Sequence, residues 1–140
     1  MSNMRYNTNM KRWKTSRTTV YNLGYHFIWC TKYRRKVLDA LVAERLKDLL
    51  KHKAKLISVE IVSLEILEEH VHLFVRCSPV DAPHWIMQQL KGYTSRMLRQ
   101  EMPSLKSRLP CLWTRSYYCE SVGHISEDVV KKYIDDQRKK

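Results

Sequence analysis

The stretch "LEEHVHLFVRCSP", from Leu67 to Pro79, decides how the rest of the chain is arranged. Successive side chains of a strand point to opposite faces. Val71, Leu73, Val75 and Cys77 then form one apolar row that needs a core, while His70, His72, Phe74 and Arg76 share the other face. Glu68 and Glu69 make a short turn into it, and the segment before them, "LISVEIVSLEILE", reads as another strand. The question the stretch raises is why two imidazoles stand side by side on the face that needs no burial.

Working outward, "TVYNLGYHFIWCTKY" (Thr19 to Tyr33) is β-branched and aromatic and predicts a first strand. From Asp39 to about Lys55, Leu41, Val42, Leu46, Leu49 and Leu50 recur at helical spacing. Asp81 is placed to cap a second helix with Pro83 in its first turn, reaching about Met102 with Ile86, Leu90, Tyr93 and Met97 as its stripe. "LWTRSYYCESVG" predicts a fourth strand. Ser126 then caps a last helix, with Glu127 and Asp128 in its first turn. The order β-α-β-β-α-β predicts an α+β, ferredoxin-like (split βαβ, RRM-like) antiparallel sheet with helices on one face, followed by a C-terminal helix. One domain over residues 1–140 is expected: a basic lead (1–18), the core (19–125) and the terminal helix (126–140). A chain of this length buries roughly 70% of its unfolded surface, so it folds without staples.

The formal net charge is +12, which points to a polyanionic partner. Nine Lys or Arg residues and no acid lie between Met1 and Leu38, among them Arg12, Lys14, Arg17, Lys32, Arg34 and Arg35. No basic amphipathic helix with a wide apolar face is evident, so nucleic acid is favoured over lipid. No apolar run approaches the roughly 18 residues of a membrane span, and the N-terminus lacks a secretory signal, so a cytoplasmic protein is expected. Cys30, Cys77, Cys111 and Cys119 form no C-x-x-C pair and read as reduced thiols.

Histidines two apart on a strand can grip one metal ion from one side, though they also occur on half-exposed strands for no such reason. In "SEDVVKKYIDDQRKK", Tyr133 and Gln137 are four residues apart and share a helix face. If that helix docks on the open sheet, Gln137 supplies a third ligand and Tyr133 stands near the ion. The plainer arrangement packs Tyr133 beside Val130 and Ile134 and leaves Gln137 in solvent. Two imidazoles and an amide leave the ion its full charge and open positions, which suits a phosphodiester with tyrosine as nucleophile. No Gly-rich phosphate loop is present, so no nucleotide cofactor is implied.

"EEHVHLFV" followed by "KKYIDDQ" resembles the His-hydrophobe-His (HUH) single-tyrosine transposases of the insertion-sequence 200/605 family. "HFIWCTKYRRKVL", "LKGYTSRMLR" and "LWTRSYYCESVG" fall where that family has similar text, so the likeness runs from about Tyr25 to Gln137. The resemblance implies a homodimeric transposase in a bacterial or archaeal cell that cuts and rejoins single-stranded DNA at mobile-element ends, recognising subterminal hairpins. It implies a divalent ion, Mg2+ or Mn2+, held by His70, His72 and Gln137. It implies that Tyr133 attacks the scissile phosphate, in its own subunit's site or its partner's, leaving a 5′-phosphotyrosine. Hairpin contacts do not carry over residue by residue; Lys32, Arg34 and Arg35, then Arg12, Lys14 and Arg17, are the candidates by charge. Trp113, Tyr117 and Tyr118 either stack on unpaired bases or belong to the core. Two other functions compete: a non-catalytic single-stranded RNA or DNA-binding module on the same sheet, and a replication initiator or relaxase, whose chains are usually longer.

Overall fold

A computed structural model describes Lys14, Thr15 and residues 19–122, so the expected terminal helix with Tyr133 and Gln137, and also Arg12 and Arg17, lie outside the described residues. Two short strands, β1 (Lys14–Thr15) and β2 (Val20–Tyr21), pair with each other. They are followed by β3 (Leu23–Cys30), a 3-10 turn at Lys32–Arg34, α1 (Ala40–Leu56), β4 (Glu60–Ile66) and β5 (His70–Cys77). Then come α2 (Pro83–Glu101), α3 (Pro103–Arg108) and β6 (Tyr118–Ser121). The main sheet has the order β4-β5-β3-β6, and each neighbouring pair is antiparallel. Each helical crossover therefore skips one strand, α1 passing over β5 and α2 over β3. This is the split βαβ plan expected from the element order.

The inward row of β5, Val71, Leu73 and Val75, has no exposed surface, and Cys77 is buried beside it. Phe27 and Trp29 of β3 continue that row. Val42, Leu46, Leu49 and Leu50 of α1 and Ile86, Met87, Leu90 and Leu98 of α2 close over it as one core. Burial of side chains this size, at about 1.5–3 kcal/mol each relative to exposure, commits the helices to one face. Strand β4 holds its apolar residues on the same side by a bulge. The register slips between Ile61 and Ser63, so Ile61, Leu64 and Ile66 all reach the core and Val62 turns outward.

Several details depart from the sequence expectations. The first strand is interrupted at Asn22 and ends at Cys30, where the chain enters the 3-10 turn. Leu41 lies on the outer face of α1 and is 73% exposed. Asp39 caps α1 through its side chain, which accepts from the Val42 amide at 3.0 Å. Asp81 does not cap α2. Its amide donates to the Ser78 carbonyl, and Ala82 takes the cap position without a side-chain bond. The α2 stripe turns toward Met87, Thr94 and Leu98, leaving Tyr93 and Met97 half-buried at its edge. Of the fourth predicted strand, Trp113 makes a single bridge to Thr31 and Tyr118–Ser121 pairs as a strand, and α3 was not expected at all.

Candidate metal and nucleic-acid site

The outward residues of β5 and β3 build the site. Cross-strand pairing sets Cys30 opposite His70, Ile28 opposite His72 and His26 opposite Phe74. On the other flank of β3, Tyr118 faces Ile28 and Glu120 faces His26. Directly opposed residues of an antiparallel pair share a face. His26, His70, His72 and Tyr118 therefore stand on the side of the sheet away from the helices.

His70 and His72 converge, with their Nε2 atoms 3.1 Å apart. The far side of each ring is occupied. Nδ1 of His70 lies 2.8 Å from Oε1 of Glu69, and Nδ1 of His72 lies 3.4 Å from Nε2 of His26. A carboxylate can only accept, so His70 donates from Nδ1 to Glu69, and its Nε2 faces that of His72. The bond from His70 holds the Glu69 carboxyl below its usual range, with Arg34 and Lys36 adding to the effect. Those two cations thus lie within electrostatic reach of Glu69, beside the imidazole pair.

The pair fits a divalent ion. Two ligands at about 2.1 Å and right angles sit about 3.0 Å apart, as octahedral coordination requires. The 3.1 Å separation of the Nε2 atoms matches it. Among the described residues, no three His, Cys, Asp or Glu side chains are grouped to hold an ion, so further ligands would come from Gln137, water or substrate.

The basic turn sits at the same end of the sheet. Thr31, fully buried, takes the Glu69 carbonyl on its amide at 2.9 Å, and the Leu38 amide donates to the Glu68 carbonyl. These bonds pin the turn to the hairpin that carries His70. Tyr33 and Arg34 both adopt left-handed backbone angles, with φ of 59° and 51°. Two consecutive residues in that region cost about 1–2 kcal/mol each. The result exposes Tyr33, Arg34 and Arg35, while the Lys32 amine lies 5.1 Å from the centre of the Tyr33 ring. Lys14 is differently placed, its amine 2.8 Å from a Glu60 carboxylate oxygen. Of the aromatic candidates, Trp113 is in the core and Tyr117 packs against it beside His84. Tyr118 is 52% exposed on the imidazole face, its hydroxyl 3.0 Å from Glu120.

The partners of the imidazoles, Glu69 and His26, were not singled out from sequence. Glu69 read as a turn residue. His26 had one legible signal, its position one residue before the core residue Phe27, which puts it on the outer face of the strand.

Residues 19–137 match the family model described as "Transposase IS200 like". The chain is 37% identical over 129 residues to the ISDra2 transposase TnpA of Deinococcus radiodurans, covering 91% of this chain and 92% of that one. It is 26% identical over 125 residues to the transposase for insertion sequence element IS200 of Salmonella typhimurium, covering 86% and 82%. Among solved structures, a Deinococcus radiodurans R1 candidate transposase superposes with a TM-score of 0.74 at 36% identity, over 89% of this chain and 97% of the other. A REP-associated tyrosine transposase bound to a REP hairpin shares the fold, at a TM-score of 0.57 and 14% identity over 88% and 67%. Sequence and fold thus agree over most of the chain, and this protein belongs to the IS200-like transposase family.

Proposed function

We propose that this transposase cleaves and rejoins single-stranded DNA at mobile-element ends through a 5′-phosphotyrosine, with His70, His72 and Gln137 holding Mg2+ or Mn2+. The observation that carries it is the convergence of two Nε2 atoms at 3.1 Å on the open sheet, with Nδ1 of His70 held by Glu69. The ion, when bound, would fix the scissile phosphate and polarise its oxygens. Tyr133 attacks phosphorus through its phenol oxygen. The bond from phosphorus to the 3′ oxygen breaks, and the proton lost by the phenol is balanced by the one the 3′-hydroxyl gains. One phosphodiester is exchanged for another, so the bond energy is conserved for rejoining and no nucleotide need be hydrolysed. Exposed Arg34 and Arg35 and the neighbouring Lys32 contact phosphates without reading bases. Hairpin ends and a homodimer, with Tyr133 serving either subunit, complete the proposal; the shared fold of the REP-hairpin-bound transposase is in keeping with the former.

The test is covalent capture. Labelled single-stranded DNA carrying an element end is incubated with the protein and Mn2+, then run on a denaturing gel. A DNA-linked protein band is expected, lost with chelator and lost in Tyr133→Phe, while Tyr133→Phe still binds the hairpin. A chain that binds the DNA but never becomes linked to it is the non-catalytic binding module instead.

A further inference from the structure

His26 belongs to a different strand from the imidazole pair, yet its ring is the polar group that meets Nδ1 of His72. We propose that His26 is a positioning residue: it fixes His72 in the tautomer that presents a lone pair on Nε2, so that both imidazoles are set to receive the ion. The inference rests on the reading of His70 and His72 as metal ligands.

The sheet makes the contact unavoidable. Ile28 pairs with His72 and His26 with Phe74, so His26 lies diagonally across from His72 on the same face. The two rings meet nearly edge to edge, 28° apart in plane with centroids at 5.6 Å, and Nδ1 of His72 approaches Nε2 of His26 at 3.4 Å. A neutral imidazole has one donor and one acceptor nitrogen, and an unpartnered one can carry its proton on either. With Nε2 of His26 accepting, the His72 proton is drawn to Nδ1. Glu69 does the same for His70 from the opposite end of the row. Glu69, His70, His72 and His26 thus form a line in which every Nδ1 proton of the central pair has a fixed partner.

The consequence falls between the two rings. In that tautomer both Nε2 atoms present lone pairs to a cation, in place of the N–H···N hydrogen bond that their 3.1 Å separation would otherwise allow. The outer residues convert an ordinary pair of histidines into one set for an ion. His26 acts from behind rather than as a third ligand: it approaches Nδ1 of His72, and no three-donor group is formed among the described residues. Partners in this position typically change metal affinity by about 10–100-fold.

Two measurements test the proposal on the full chain. In the first, Mn2+ alone is titrated and followed by electron paramagnetic resonance, with metal-free hairpin binding measured in parallel. His26→Phe keeps an aromatic ring without an acceptor, and should weaken Mn2+ binding by about 10–100-fold while leaving hairpin affinity unchanged. His26→Gln keeps an acceptor, and should recover Mn2+ affinity to within about threefold of the parent chain. Parent-like Mn2+ binding by His26→Phe, or equal weakness of the two variants, overturns the proposal. His72→Ala separates the two readings: if that variant binds Mn2+ like the parent, His72 is no ligand, whatever the His26 variants do. The second measurement needs no variant. Long-range 1H–15N spectra of the neutral imidazoles should show His72 protonated on Nδ1 and bare on Nε2, and the opposite pattern overturns the assignment.

Discussion

Thr94 is a polar side chain with no exposed surface, and its hydroxyl ties two elements together. It donates to the Leu90 carbonyl at 2.7 Å and accepts from the indole Nε1 of Trp113 at 3.1 Å. Thr94→Val keeps the shape but strands the Trp113 N–H in the core. That should cost about 1–3 kcal/mol, the penalty for an unsatisfied buried donor, measured as a lower urea midpoint at unchanged slope. Cys77 gives a pH signature. Burial pushes its thiol up from 9.0 to about 11. Above about pH 9 the unfolded chain releases this proton while the folded chain keeps it, so fewer protons are bound on unfolding and stability falls as pH rises toward 11. Urea denaturation at about pH 8 and about pH 10 should show that fall, and Cys77→Ala should reduce it. An equal fall in both chains assigns the effect to other groups.

At the scale of elements, the turn from α1 into β4 shows a local rule broken and compensated. The Ser58 amide donates to the Lys55 carbonyl and the Val59 amide to the Ala54 carbonyl, the bond pair of a Schellman end. The left-handed position of that motif ordinarily belongs to glycine, and here Ser58 occupies it with φ of 59°. Ser58→Gly should therefore stabilise the protein by about 1 kcal/mol, read by thermal or urea unfolding; no gain would mean that the turn is not strained. Elements carried by strict alternation were the most legible. Strand β5 buries Val71, Leu73, Val75 and Cys77 as its two-residue period demands. The segment "LWTRSYY" could not be read correctly from local pattern. Trp113 makes a single bridge to Thr31 with its ring in the core, and the Lys91 amine donates to the carbonyls of Thr114, Arg115 and Ser116, which lie between that bridge and β6. That partner lies more than twenty residues away in the chain. The same holds for the candidate site: His70 and His72 stand out as neighbours in sequence, whereas His26 joins them only through the β3–β5 register. The Asp81 cap failed for a closer reason, since α2 begins at Pro83 and puts Ala82, not Asp81, in the cap position.

The whole molecule carries +12 net charge, and what matters for a nucleic-acid partner is which of those charges are free to meet phosphate. Fixed cations on the protein displace condensed counterions from the strand, so the logarithm of affinity falls linearly with the logarithm of salt concentration. For single strands the slope is about 0.7 per phosphate neutralised. Arg34 and Arg35 are exposed beside the hairpin that carries the imidazoles, with the half-buried Lys32 next to them, whereas the Lys14 amine is already matched by Glu60 at 2.8 Å. If the basic turn is the phosphate-facing surface, the triple change Lys32→Gln, Arg34→Gln, Arg35→Gln should flatten the salt slope for single-stranded DNA by about 2. Lys14→Gln should leave it nearly unchanged. Fluorescence anisotropy with a labelled single strand, repeated over a series of NaCl concentrations, measures both slopes. Neither variant removes a member of the imidazole line, and Arg34 acts on Glu69 only through its charge, so retained Mn2+ binding serves as the control for an intact site. A triple variant with the parental slope would move the DNA path away from this end of the sheet. A flattened slope with unaltered Mn2+ binding would separate the charges that hold the strand from the groups that hold the ion, a division that the placement of the turn at the edge of the imidazole face leads one to expect.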